Sequence, residues 1–353
     1  MKRLLPYVTV LLAMGCAHAP KKEVVWPEPP DKARIRFVTA FKHEDDLDLS
    51  AGAGFRRALF GGSPNPGLAQ PMGVAISDDG ERLYIADFGM SHVFVANLKA
   101  KTLRLFAPDE PMGKPINVAL DSVENVYVSD SPGGMIRVFS PKGEPLKILG
   151  AKQLERPTGI AIDRQRKLLY VSDSASAKSE NHRVRVFDLE GKWLRDLGAK
   201  EGQPSRGEGD GQWRFPGYVA LNRDGDVYVA DTMNFRIQVF DPTGKFLRKY
   251  GEAGDGPGSF ARIKGLAFDR FGNLYVVDGD HSNVQLFNKD FTLLMFFGGY
   301  ARKLEYFDIP SGIAIEPKAG LIYVCNEFIS RINVYELINT NAEDSASPPP
   351  AKP

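Results

Sequence analysis

The sequence predicts an all-β fold, a six-bladed β-propeller of four-stranded antiparallel blades, and three observations predict it. A short strand of the form apolar-Tyr-apolar-x-Asp recurs six times, as Leu83-Tyr84-Ile-Ala-Asp87, Val126-Tyr127-Val-Ser-Asp130, Leu169-Tyr170-Val-Ser-Asp173, Val227-Tyr228-Val-Ala-Asp231, Leu274-Tyr275-Val-Val-Asp278 and Ile322-Tyr323-Val-Cys-Asn326. Each copy is preceded by a small-residue turn and an apolar strand, such as Met72-Gly73-Val-Ala-Ile76, Thr158-Gly159-Ile-Ala-Ile162 and Ser311-Gly312-Ile-Ala-Ile315. Between the two strands sit turn pairs such as Asp79-Gly80, Asp224-Gly225 and Gly272-Asn273, which accept positive φ and close hairpins. A repeat of this length marks a ring or stack of units rather than one irregular core.

The rest of each blade follows in order. A third strand reads Val93-Phe-Val95, Ile136-Arg-Val-Phe139, Val184-Arg-Val-Phe187, Ile237-Gln-Val-Phe240, Val284-Gln-Leu-Phe287 and Ile332-Asn-Val-Tyr335, and a fourth appears as Leu146-Lys-Ile-Leu149 or Phe246-Leu-Arg-Lys-Tyr250. Four antiparallel strands make a blade. The sixth repeat stops after its third strand, at Tyr335, whereas Ile35-Arg-Phe-Val-Thr-Ala-Phe41 lies ahead of the first full repeat. That early strand is expected to complete the last blade, closing the ring and removing its free edges.

Composition bounds the rest. With 43% hydrophobic and 25% charged residues, the chain has material for a large core and is not disordered by default. Lys and Arg total 45 against 44 Asp and Glu, so no global field would gather nucleic acid, and no nucleic-acid partner is expected. Lys2 and Arg3 precede an apolar stretch from Leu4 to Gly15, too short for a stable membrane span but the length of a signal-peptide core. It ends at Ala13-Met14-Gly15-Cys16, which resembles the lipobox of bacterial lipoproteins. Residues 1–16 are thus read as a signal peptide with Cys16 as the lipid-attachment site. The chain is expected in the cell envelope, on the periplasmic face, held to a membrane by that lipid. Cys325 is the only other cysteine; it is read as a small buried hydrophobe, leaving no intramolecular disulfide.

Residues 17–32 read as a Pro-rich spacer without a core, 33–338 as the propeller, and 339–353 as a disordered tail lacking large apolar residues. The acidic and aromatic stretch 43–62 is compatible with a short helix of unassigned role.

The wording of the repeats resembles the NHL family. Phe215-Pro-Gly-Tyr-Val-Ala-Leu, Val227-Tyr-Val-Ala-Asp231, Asn234-Phe-Arg-Ile-Gln-Val-Phe-Asp241 and Gly244-Lys-Phe-Leu carry the resemblance, with Gly-Asp-Gly linkers at 209–211 and 254–256. It spans about Leu68 to Leu337 and is closest in blades 3 to 5. It implies the six-bladed ring and, since such proteins commonly bind other molecules, a binding role.

In an antiparallel blade the turn into strand one and the loop out of strand two share one face, so six blades gather twelve such segments around a central channel. The Asp or Asn ending every second strand is read as a turn cap, because a feature present in all blades serves the fold. Residues that break the repeat point to a site. Asn117 and Tyr218 replace the Gly that four blades carry before strand one, and Lys264 stands where other blades have Met, Ile, Thr, Gly or Ser. These three are the candidate ligand-binding face, suited to an anionic or carbonyl-bearing ligand. The competing reading is a channel plug beside a solvated lysine.

His92, His182 and His281 fall in the loops leaving strand two of blades 1, 3 and 5, a placement similar to the amidating lyases, NHL-type propellers that hold zinc through three histidines. Their unequal offsets from the preceding Asp stand against a shared metal. Calcium-dependent lactonases use acidic groups on the inner strands, which here are almost wholly aliphatic. The first functional expectation is a non-enzymatic binding or scaffold protein engaging a protein or cell-wall partner, with no cofactor. Its loops at Asp173 to His182 and Gly198 to Phe215 are the expected contact. The second is a metal-dependent lyase or hydrolase, with zinc or calcium at the channel mouth.

Overall fold

The computed structural model describes residues 23–50, 59, 61–198 and 204–338. Its strands form six antiparallel sheets. Blade 1 comprises Pro71–Ile76, Arg82–Asp87, His92–Asn97 and Thr102–Phe106, and blade 2 Pro115–Leu120, Val126–Asp130, Met135–Phe139 and Pro145–Leu149. Blade 3 comprises Pro157–Asp163, Leu168–Asp173, Arg183–Asp188 and Trp193–Asp196, and blade 4 Pro216–Leu221, Val227–Asp231, Arg236–Phe240 and Phe246–Tyr250. Blade 5 comprises Ile263–Phe268, Leu274–Asp278, Asn283–Phe287 and Leu293–Gly298. Inner strands touch the inner strands of adjacent blades, blade 6 meeting blade 1, so the ring closes.

Blade 6 holds Pro310–Ile315, Leu321–Asn326 and Arg331–Leu337, followed in space by Ile35–Phe41. Ile35 pairs with Leu337 and Phe41 with Ile332, the closure expected from the chain ends. One expectation is corrected at this point. The Pro-rich stretch was given no core, yet Val25–Trp26 forms a fifth strand of blade 6, pairing with Arg36 and Ile35. Trp26 is buried there among Phe297, Tyr306 and Tyr335, its ring centroids about 6 Å from theirs. The driving force is the large area an indole removes from water, which the prolines that follow Trp26 do not oppose because an outermost strand needs few of its N–H groups paired.

The repeated residues have two separate jobs. Six hydrophobic clusters fill the ring, each joining two neighbouring blades. The tyrosine of each second strand enters the cluster shared with the next blade: Tyr84 packs toward blade 2, Tyr170 toward blade 4 and Tyr323 toward blade 1. All six are buried, so the periodic Tyr is the ring's mortar. The core therefore lies in the seams rather than at one centre, and the central channel stays narrow. Gly73 and Gly312 show how narrow: a Cβ on either would come within about 2.5 Å of the backbone of the adjoining inner strand.

The segment 43–50 gains a role. Glu44–Leu47 is one turn of 3-10 helix, and the Glu44 carboxylate accepts a hydrogen bond from the Leu103 backbone N–H at 3.0 Å. It ties the exit of the closing strand to the outer strand of blade 1. Residues 51–58 and 60, the signal-peptide and Cys16 expectations, and the 339–353 tail lie outside the described residues. Cys325 is buried and free. Among the described residues no helix is long and apolar enough to cross a membrane.

Candidate functional site

At one face of the ring, the Asp that ends each second strand turns back onto the loop feeding its own inner strand. Asp87 accepts the backbone N–H groups of Ala69 and Gln70 at 2.8 and 2.9 Å, Asp130 those of Gly113 and Lys114 at 2.9 Å, and Asp278 those of Ala261 and Arg262 at 2.8 and 3.0 Å. In blade 6, Asn326 accepts only the Asp308 N–H, at 2.9 Å, as expected from a residue with one carbonyl oxygen. These carboxylates are spent on orphan N–H groups. They fix the loops; they do not form an open ring of charge.

The channel mouth on this face is filled by the repeat-breaking residues. Tyr218 starts in blade 4 and reaches across the ring, its phenol donating to the Met72 carbonyl of blade 1 at 2.6 Å. Burial, then the nearby Cys325 and the charge of Glu327, push the phenol's pKa well up, so it stays a donor at any physiological pH. Lys264 donates to the carboxylate of Glu327; the two side chains are 12% and 5% exposed, so this lysine is paired and enclosed rather than solvated. Burial lowers the Lys264 pKa and Glu327 opposes that shift. Asn117 is also occupied locally, its Oδ1 accepting the Val118 N–H at 2.7 Å.

The structure thus brings Tyr218 and Lys264 to one mouth and gives each a partner from the chain itself. Glu327 was missed by sequence reasoning. The signal existed: the residue after the strand-two Asp or Asn is Phe88, Ser131, Ser174, Thr232, Gly279 and Glu327 around the ring, and Glu327 is the one acid at that position.

The three histidines are not brought together. His92 Nδ1 lies 2.9 Å from the Met90 carbonyl, His182 Nδ1 accepts the Phe215 N–H at 3.1 Å, and His281 Nδ1 is 3.3 Å from the Asp278 carboxylate. Each serves its own loop. Among the described residues no three His, Cys, Asp or Glu side chains are grouped to hold a metal. The alternative reading that placed a metal on His92, His182 and His281 finds them apart, each bound within its own loop. Burial lowers the His182 pKa first, with Arg206 adding to it, as suits a ring that must accept a hydrogen bond.

An open groove of about 400 Å³ lies on the same face over blades 1 to 3. Phe88, Lys114, Ile116, Pro132, Arg156 and Ser176 line it. Ser176 belongs to the extended loop of blade 3, where Glu155 accepts from Ser179 Oγ at 3.2 Å and from the Asn181 amide. The last part of the long linker packs inward: Trp213 is fully buried against Phe240.

The fold defines a six-bladed, all-β propeller of four-stranded antiparallel blades. Comparison with known proteins agrees. The NHL repeat family matches residues 154–187, and a family described as a six-bladed β-propeller matches residues 220–346. NHL repeat-containing protein 2 of Bos taurus is 29% identical over 183 residues, 50% of this chain and 21% of that protein. The chain therefore spans about a fifth of that relative's length. Among solved structures, virginiamycin B lyase from Staphylococcus aureus is similar with a TM-score of 0.56 at 14% identity, covering 76% of this chain and 95% of that one. A chain of a nidogen/laminin complex has a TM-score of 0.56 at 18% identity, covering 70% and 87%. An enzyme and a member of a protein–protein complex share the fold, so the likeness establishes architecture and leaves activity to the site.

Proposed function

We propose that this chain is a non-enzymatic binding or scaffold protein of the cell envelope, engaging a protein or cell-wall partner through the loop face of its propeller. One observation carries the reading: the channel mouth, where a propeller would house a reacting group, is closed by the chain's own Tyr218–Met72 and Lys264–Glu327 contacts. On the same face the loops of blade 3 stand open, and long loops on a rigid frame are where recognition resides. The envelope location rests on the Lys2–Arg3 start, the short apolar core and Cys16.

The test places a photo-crosslinking amino acid at Lys178, in the blade 3 loop, and separately at Lys289, on the opposite face, in the native host. A discrete partner captured from position 178 and not from 289 is the expected result; identical captures from both overturn the assignment of the face. In the same strain, Cys16→Ser should release the protein from membranes into the soluble envelope fraction. The lyase-or-hydrolase reading is tested separately, by elemental analysis of untagged protein. Zinc or calcium at near-stoichiometric levels would reinstate it.

A further inference from the structure

The groove over blades 1 to 3 carries more than an open loop surface. Lys114 and Arg156 occupy the same repeat position, immediately before the inner strand of blades 2 and 3. Their backbone N–H groups donate to equivalent caps, Lys114 to Asp130 at 2.9 Å and Arg156 to Asp173 at 2.8 Å. The repeat therefore sets two cationic side chains at matching register on adjacent blades, on stems fixed by buried carboxylates. Among the described residues neither cation has an acidic partner. The Lys114 ammonium donates to the Phe88 carbonyl at 3.0 Å and sits 4.6 Å from the centre of the Phe88 ring. The Arg156 guanidinium makes no hydrogen bond or ion pair among the described residues, in a molecule where Arg183, Arg206, Arg214 and Arg236 are all paired.

The surroundings narrow the ligand. Ile116, Pro132 and Phe88 give the groove an apolar wall, so the ligand carries an apolar body. Phosphate sites on loops are built from converging backbone N–H groups. Here the N–H groups of Gly113, Lys114, Glu155 and Arg156 are already taken by Asp130 and Asp173. What remains is a planar guanidinium able to grip two oxygens, with an ammonium beside it. The one free-standing acid of the wall, Glu155, is drawn away toward Ser179 and Asn181.

We infer that this groove binds a carboxylate borne on a peptide segment, Arg156 gripping the carboxylate, Lys114 supporting it, and Phe88, Ile116 and Pro132 covering the adjoining chain. The inference rests on the binding-platform reading and names the chemistry of its partner.

The experiment is fluorescence anisotropy on the full mature chain with a fluorescein-labelled, C-terminally amidated alanine hexapeptide containing one central Glu, beside the Gln isostere. Saturable binding of the Glu peptide is expected. A loss of ten-fold or more in affinity is expected for the Gln peptide, for Arg156→Ala and for Lys114→Ala. Arg223→Ala, an exposed arginine on the opposite face, should bind as the parent does, and circular dichroism melts check that all variants fold. Equal binding of Glu and Gln peptides, no saturable binding up to millimolar protein, or an unaffected Arg156→Ala would each overturn the inference. So would inorganic phosphate displacing the probe more effectively than free unlabelled Glu peptide. Crosslinking from Lys178 in an Arg156→Ala background separates the two readings. Undiminished capture of the partner sinks the carboxylate site alone, whereas no capture even from the parent sinks the platform.

Discussion

Blades 3 and 6 are built from the same repeat and treat their outer edges in opposite ways. In blade 6 the outer strand Ile35–Phe41 comes from the far end of the chain and is itself covered by Val25–Trp26, with Trp26 buried in an aromatic cluster. In blade 3 the outer strand is only Trp193–Asp196, its edge is uncovered, and Trp193 and Leu194 are 46% and 38% exposed. The difference follows from where each blade lies in the sequence. Blade 3 is made of one continuous stretch and is held by local hairpins and two neighbours, so its rim needs no cover. Blade 6 is the joint of the ring, where residues some 300 positions apart must meet, and the loop-closure entropy of that joint has to be offset by burial. Burial is concentrated at the joint, and the more exposed rim lies across the ring at blade 3.

The largest way to break this contrast is to remove the joint. Deleting residues 33–41 should abolish cooperative unfolding altogether, leaving exposed edges in blade 6 and at the cluster shared with blade 1; a sigmoidal urea transition in the deletion protein would refute the closure argument. Next, single indoles compare the two rims directly. Trp26→Ala should cost about 3–5 kcal/mol, the range for removing a large buried aromatic, whereas Trp193→Ala, half exposed, should stay within about 1 kcal/mol. Urea midpoints of the two variants decide it, and a loss within about 1 kcal/mol for Trp26→Ala would mean that the fifth strand contributes little to closure.

The buried pair at the channel mouth gives a third, smaller contrast. Lys264→Ala leaves Glu327 enclosed without its partner and should cost about 3 kcal/mol. The double variant Lys264→Met/Glu327→Leu should recover most of that loss, because an apolar pair of similar size needs no compensating charge. If the double variant is as unstable as the single one, the mouth depends on the charges themselves and the plug reading is wrong.

How much of this was legible in the sequence depended on repetition. The Tyr of each second strand recurs six times and the Asp that ends the strand five, with Asn326 in the sixth, and period alone located the blades, the seams and the caps. The closing strand was legible because the sixth repeat lacks one. Trp26 was not, since a lone aromatic among prolines has no period, and only its packing on Phe297 and Tyr335 reveals its role. The candidate trio at the mouth was found by its departures from the repeat, but its partners were hidden. Tyr218 bonds to a backbone carbonyl 146 residues away, and Lys264 to an acid 63 residues away. Such pairings are set by ring geometry. Arg156 and Lys114 share a repeat position, and only the structure shows that neither has an acidic partner among the described residues.

The smallest expected effect links the blade 3 loops to pH. His182 is fully buried, accepts the Phe215 N–H through Nδ1, and packs edge-on against the Phe215 ring at 4.4 Å. Burial holds its pKa below the ordinary value of 6.5, so the folded protein binds a proton there less readily than the unfolded chain. Above the unfolded-state value both forms are neutral and this site has no effect on stability. As pH falls below about 6.5 the unfolded chain takes up the proton first, and stability declines until the folded-state pKa is passed. Protonation of Nδ1 would also break its bond from Phe215, at the end of the long linker. The parent's melting temperature should therefore fall more steeply between pH 6.5 and 5 than that of His182→Gln, measured by differential scanning fluorimetry. Parallel curves would show that the histidine titrates alike in both states, and that the blade 3 loops are not braced by a neutral imidazole.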